Sequence, residues 1–294
     1  MTVDVHTHLP SHRDEVPDDE VATESAMRSG ETVRLTNSIQ DYLADMRPVD
    51  RTLIFGIAPR PWKPGERILR TIGWPDSMNH NDVAAEVAKV APDKVIPCMS
   101  LHPLDPDVNA EYDRCVGDLG CRGIKLGPNY QDYDPTGPDA FRLFARLEAD
   151  GIPIIFHMGT SPMQFGPLRY AHPLVVDEIA MAFPNLRMVM AHLGHPWQAD
   201  CLAVVRKHPN VWADVSAQFY RPWSFWNGMR LFFEWGVTQK ILFGSDWPVT
   251  KPQDNIDHLR GLAKFAKDHH LPVIPESEIE GIINRDALDI LGLD

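Results

Sequence analysis

Five side chains of this 294-residue chain stand out among those that can hold metals or move protons, and each lies in or just after a short apolar run. His6 and His8 close VDVHTH, His157 stands in PIIFHMG, His192 in RMVMAHLG and Asp246 in KILFGSDW. Side chains alternate between the two faces of a strand, so a spacing of two puts His6 and His8 on the same side. Imidazole suits zinc, iron, nickel or copper, and a mixed nitrogen and oxygen set leaves zinc, manganese or iron. Taken singly, each residue has a plainer explanation. A histidine at a strand end is more often hydrogen-bonded to a neighbour than a ligand, and an aspartate after Gly-Ser can simply begin a turn. Taken together, five partly buried polar groups without a shared partner would be costly.

Such residues meet only if the elements carrying them end in one place. Strand signals fall at 3–8, 52–58, 94–101, 122–127, 153–159, 187–194, 211–217 and 240–247. Between them, helical spacing runs over 37–46, 81–91, 138–151, 172–183, 196–208, 224–236 and 255–270. Alternating strands and helices imply parallel pairing with the helices covering the sheet. Eight such strands in 294 residues predict an α/β chain folded as one (β/α)8 TIM barrel domain over 1–294. A doubly wound open sheet is the alternative, but it calls for a Gly-rich turn after its first strand. LPSHRDEVPDDE cannot serve as one. The barrel is distorted by a long acidic loop after strand one, 9–36, whose composition suits either a lid or ordinary disorder, and by a C-terminal helical tail from about 272. In that tail Ile279, Ile282, Ile283 and Leu288 are expected to pack on the barrel exterior. The C-terminal strand ends of such a barrel open onto one face, where active sites are built. All five residues lie at such ends.

Further candidates follow other strands on the same face. Lys125, in GIKLGP, ends strand four and either pairs with a carboxylate or anchors a substrate carboxylate. His102, in SLHP, either lines the mouth or caps a turn. Arg60 and Trp62, in APRPW, either grip an anionic or aromatic substrate or form a Pro-stiffened loop. Tyr130 follows strand four, and Phe219 and Arg221 follow strand seven within the aromatic-rich QFYRPWSFW. His195, in HLGHPW, reads as support for a helix entrance.

DVHTH, FHMG, AHLGHPW and FGSDWP, in this order, resemble the amidohydrolase superfamily. More narrowly they are similar to the amidohydrolase-related branch that contains aminocarboxymuconate semialdehyde decarboxylase and related metal-dependent hydrolases. The resemblance runs from residue 3 to the tail. It implies a (β/α)8 barrel, one divalent metal ion (zinc first, manganese or iron otherwise), and either hydrolysis or non-oxidative decarboxylation. By this resemblance His6, His8, His157 and Asp246 are metal ligands, Asp246 is also catalytic, and His192 is the catalytic acid/base or a further ligand. A homodimer is implied too. Binuclear members of the superfamily carry a carboxylated lysine at the end of strand four, which makes Lys125 a candidate bridge. The rest of the pattern favours the mononuclear branch, and a metal count of one per chain would sink the bridge. Zinc in such a site lowers the pKa of bound water to about 7. Hydrolysis of a small lactone, cyclic amide or ester is the first expectation. Decarboxylation of an aromatic or muconate-like acid is the alternative.

Composition narrows the partners. With 41 acidic and 28 basic residues the formal charge is -13, which repels phosphate backbones. Nucleic acid and membrane are not expected, and a small-molecule substrate is. The 4 cysteines include no C-x-x-C pair, and no signal-like stretch opens the chain, so a cytoplasmic protein with reduced thiols is expected.

Overall fold

The computed structural model describes residues 1–24, 32–63, 66, 71–161 and 163–293. The strands are β1 (Val3–His8), β2 (Thr23–Glu24), β3 (Val33–Arg34), β4 (Arg51–Phe55), β5 (Val95–Met99), β6 (Gly123–Leu126), β7 (Ile154–Phe156), β8 (Met188–Met190), β9 (Val211–Asp214) and β10 (Ile241–Leu242). Eight of them form one parallel sheet in the order β1-β4-β5-β6-β7-β8-β9-β10. Val5 N–H donates to the Phe243 carbonyl at 3.0 Å and His8 N–H to the Trp247 carbonyl at 2.8 Å, so the last strand returns to the first and the barrel all but closes. The small β2-β3 hairpin lies in the loop after β1. Part of that loop, 25–31, falls outside the described residues, and the lid expectation with it.

The helices are α1 (Ile39–Asp45), α2 (His80–Val90), α3 (Val108–Gly117), α4 (Pro128–Gln131), α5 (Pro138–Asp150), α6 (Leu174–Ala182), α7 (Gln198–Lys207), α8 (Pro222–Glu234), α9 (Pro252–Asp268), α10 (Glu276–Ile283) and α11 (Ala287–Leu291). Local chemistry sets several of their ends. Ser38 and Asp41 form a reciprocal capping box on α1, as Asn79 and Asp82 do on α2. Pro138 opens α5 and Gly151 ends it at φ 70°. None of the described helices is long and apolar enough to cross a membrane.

Two buried clusters hold the barrel together. The larger joins the outward side chains of the strands to the helices, for example Ile124, Ile154 and Met188 with Phe144, Ile179 and Val205. The smaller is made of alternate strand residues (Leu53 and Phe55, Ile96 and Cys98, Ile155, Val189) together with Val3, Val5 and, from the tail, Ala287, Leu288 and Leu291. The tail therefore divides. Ile279, Ile282 and Ile283 pack in the outer layer, whereas Leu288 enters the barrel interior and α11 seals the end opposite the site. Amphipathic spacing shows which face of a helix is buried, not what it meets.

Candidate metal and substrate site

The β1–β4 register shifts between Asp4 and Thr7, and such a bulge re-aims the side chains beside it. Here it falls at His6. Asp4 Oδ1 accepts from the backbone N–H of His6 at 3.1 Å and of Ser245 at 2.9 Å, tying the first strand to the segment that carries Asp246. His6 is fully buried, and its Nδ1–H donates to Asp214 Oδ2 at 2.9 Å. The Nε2 lone pair is thereby turned toward Asp246 Oδ1, 3.3 Å away, and accepts from Lys125 Nζ at 3.0 Å. His8 Nε2–H reaches the same Asp246 oxygen at 3.1 Å. His192 leans on His6 with ring centroids 4.9 Å apart, and its backbone N–H donates to Asp214 Oδ1 at 3.0 Å. Its Nδ1 is held by Ser216 Oγ at 2.9 Å, leaving Nε2 for the cavity. His157 lies 5.2 Å from the His192 ring and 4.2 Å from that of Tyr130.

The electrostatics follow from burial and these contacts. Burial, with Lys125 nearby, pushes His6 down to about 3 against the pull of Asp214 and Asp246, so its imidazole is neutral. Burial also lowers His8 and His157. Burial opposes the ionisation of Asp214, but His6, His192 and Ser216 outweigh it and hold the carboxylate below its usual range. Asp246 is likewise held low by His192, by the His8 hydrogen bond and by His6. Burial brings Lys125 down to about 8, opposed by Asp214 and Asp246. In Asp4, where burial dominates, the carboxyl rises to about 7.

His6, His192 and Asp246 each offer one donor atom, all within 4.8 Å of one another, and no other such group occurs among the described residues. Two nitrogens and one oxygen suit zinc, manganese or iron. The Asp214–His6 hydrogen bond is of the kind that fixes the tautomer and orientation of a metal-binding imidazole. His8 Nδ1 is buried without a partner among the described residues. The chemistry of the set fits a divalent ion, with His8 joined to it through Asp246 and His157 at its edge.

Above this group opens a cavity of about 260 Å³. His157, His192 and Asp246 line its floor, and Tyr130 and Arg221 its walls. The other substrate candidates stand elsewhere. Lys125 is wholly buried behind His6. Arg60 is neutralised by Glu66, with Nε to Oε2 at 2.9 Å, and lies over the Phe165 ring at 3.7 Å. His102 caps a turn, accepting from Leu104 N–H at 3.1 Å and donating to the Gln131 carbonyl at 2.7 Å, with Trp62 against its ring. Phe219 stacks on His258 at 4.1 Å and faces a separate groove. Among the site residues that escaped the sequence reading are Asp214, Ser216 and, as part of the cavity wall, His195, Met158, Tyr220 and Val249. Asp214 had a legible signal, since a carboxylate in the apolar run VWADVSA must find a buried partner.

The backbone is strained where the site is built. His192, Ala217 and Asp246 all line the cavity with φ of 59°, 53° and 70°. Such left-handed conformations cost non-glycine residues about 1–3 kcal/mol each and cluster at functional sites.

A profile of the amidohydrolase family matches residues 3–293. Among curated proteins, the gamma-resorcylate decarboxylase of a Rhizobium species is 23% identical over 226 residues, or 60% of this chain and 66% of that protein. The chain thus spans just under two thirds of that relative's length. Among solved structures, a 2,6-dihydroxybenzoate decarboxylase from Rhizobium superposes with a TM-score of 0.64 at 19% identity, covering 100% of both chains. A dihydroxybenzoic acid decarboxylase from a Polaromonas species, with manganese and the inhibitor 2-nitroresorcinol bound, superposes with a TM-score of 0.64 at 17% identity, covering 99% of this chain and 97% of that one. These structural likenesses establish the barrel.

Proposed function

The chain belongs to the amidohydrolase family, and we propose that within it the protein is a metal-dependent decarboxylase of a small aromatic carboxylic acid. The sequence ranked hydrolysis first. The likeness to the decarboxylase named above among curated proteins supports the alternative more than it supports hydrolysis. The observation that carries the reading is the pairing of a compact His6, His192 and Asp246 donor group with a cavity of about 260 Å³, a size for one ring and its acidic groups. Tyr130, Met158, Tyr220 and Val249 give that cavity its apolar and aromatic walls.

His6 and Asp246 would hold the metal at the floor, with the remaining donors drawn from His8 and His157. Manganese, reported in one of the neighbours, and zinc both suit this set. When bound, the ion polarises oxygens of the substrate and stabilises negative charge. The chain's own residues do the rest. Asp214 keeps the His6 lone pair aimed at the floor, and the aromatic walls hold the ring against it. As the bond to the carboxylate breaks, its electron pair stays on the ring carbon, CO2 leaves, and the carbon takes a proton. His192 is the donor we assign, because Ser216 and Asp214 fix its Nδ1 and backbone and free Nε2 for the cavity.

Metal content and turnover, measured together, test this division of labour. His6→Ala and Asp246→Asn are expected to lose both the metal and the activity. His192→Gln is expected to keep the metal and lose about 10²–10⁴-fold in turnover. Full metal and full activity in either of the first two would overturn the site. Loss of metal in His192→Gln would make that residue a ligand instead.

A further inference from the structure

We propose that His195 and Arg221 form a receptor for a second anionic group of the substrate, so that the enzyme takes a diacid with one acidic group at the metal floor and the other on this wall. The inference deepens the decarboxylase reading and rests on it for what happens at the floor.

Arg221 is the only lysine or arginine on the cavity wall among the described residues. Its guanidinium lies over the Tyr220 ring at 4.5 Å, and no described carboxylate is in ion-pair range of it. It differs in this from Arg60, whose charge Glu66 already answers. An unanswered arginine in a chain of formal charge -13 is a site for an anion brought from outside.

His195 complements it through its tautomer. Gln198 Nε2–H donates to His195 Nδ1 at 3.1 Å, and Ser224 Oγ lies 3.2 Å from the same nitrogen. Gln198 also donates to Ser224 Oγ at 3.0 Å, so three side chains from the α7 and α8 entrances lock together. With Nδ1 accepting, the proton sits on Nε2, which has no partner among the described residues and belongs to the cavity wall. The loop carrying it is clamped: Thr160 N–H donates to the His195 carbonyl at 2.9 Å. A neutral N–H donor beside a guanidinium recognises a carboxylate or phenolate without adding a second charge to desolvate.

The test is calorimetric binding of benzoate, isophthalate and terephthalate to the metal-loaded protein. Wild type is expected to bind the better dicarboxylate about tenfold more tightly than benzoate, an added charge-assisted contact. Arg221→Met is expected to erase that ratio while leaving benzoate affinity in place. Gln198→Glu should do the same with His195 intact, because a carboxylate would take the proton on Nδ1 and leave a lone pair facing the cavity. Gln198→Met, which imposes no tautomer, should fall between. Equal affinity for all three acids in wild type, or a ratio that Arg221→Met and Gln198→Glu leave unmoved, would overturn the receptor. Assay of CO2 release separates the two proposals. A dicarboxylate preference without CO2 from any aromatic acid sinks the decarboxylase reading alone, and CO2 release without the preference sinks the receptor alone.

Discussion

At the scale of single residues, the site depends on side chains that never touch the cavity. Asp214 is fully buried and spends both oxygens on His6, His192 and Ser216. Removing such an orienting carboxylate typically costs 10–100-fold in metal affinity. Asp214→Ala is therefore expected to weaken metal binding by about that factor, read by competition with a chelating dye, and unchanged affinity would remove Asp214 from the account. His195 gives a pH signature. Its folded pKa of about 4 lies below the ordinary 6.5, so between those values the unfolded chain binds more protons. The stability it contributes is fully present above about 6.5 and is lost as pH falls through about 4. His6, at about 3, acts in the same direction. Urea unfolding across this window should show a shallower decline for His195→Gln than for wild type. Identical slopes would mean that His195 is not held neutral.

At the scale of elements, the strand ends decide where chemistry is possible. The alternation of short β-branched runs with helical spacing was enough to read all eight barrel strands, and with them the placing of His6, His8, His157, His192 and Asp246 on one face. What could not be read were features set by partners distant in sequence. The strands at 52–58, 153–159 and 240–247 stop early, because residues such as Gly159 leave the ladder to form the site's loops. Helix α3 buries only Tyr112 and Cys115, too little for an apolar stripe to show. Lys125 and Arg60 stayed open between a substrate role and a structural one, because a sequence does not show that His6 and Glu66 already claim them. Gly159 illustrates such a distant constraint. Its φ is 98°, and a Cβ there would stand 2.1 Å from the His195 carbonyl oxygen. Gly159→Ala is expected to destabilise the fold by about 1–3 kcal/mol and to displace the His195 loop. The measurement is denaturant unfolding alongside dicarboxylate affinity, and wild-type values in both would contradict the clamp.

At the scale of the whole molecule, the barrel separates its tasks between two ends. Ala287, Leu288 and Leu291 seal one end with apolar side chains, and the other end gathers the polar and strained residues. This is the division expected of such barrels, in which the sealed end serves stability and the open end serves chemistry. Membership of the amidohydrolase family fits that architecture, and the reaction is the step proposed beyond it. The most direct test follows metal-loaded protein with 2,6-dihydroxybenzoate, the acid named for one structural neighbour, together with a panel of lactones and esters, recording CO2 and released acid in parallel. The expected result is CO2 and the decarboxylated ring in equal amounts from an aromatic acid, abolished by chelator and restored by manganese or zinc. Metal-dependent acid release from the lactones or esters, with no CO2 from any aromatic acid, would contradict the account and return hydrolysis to first place.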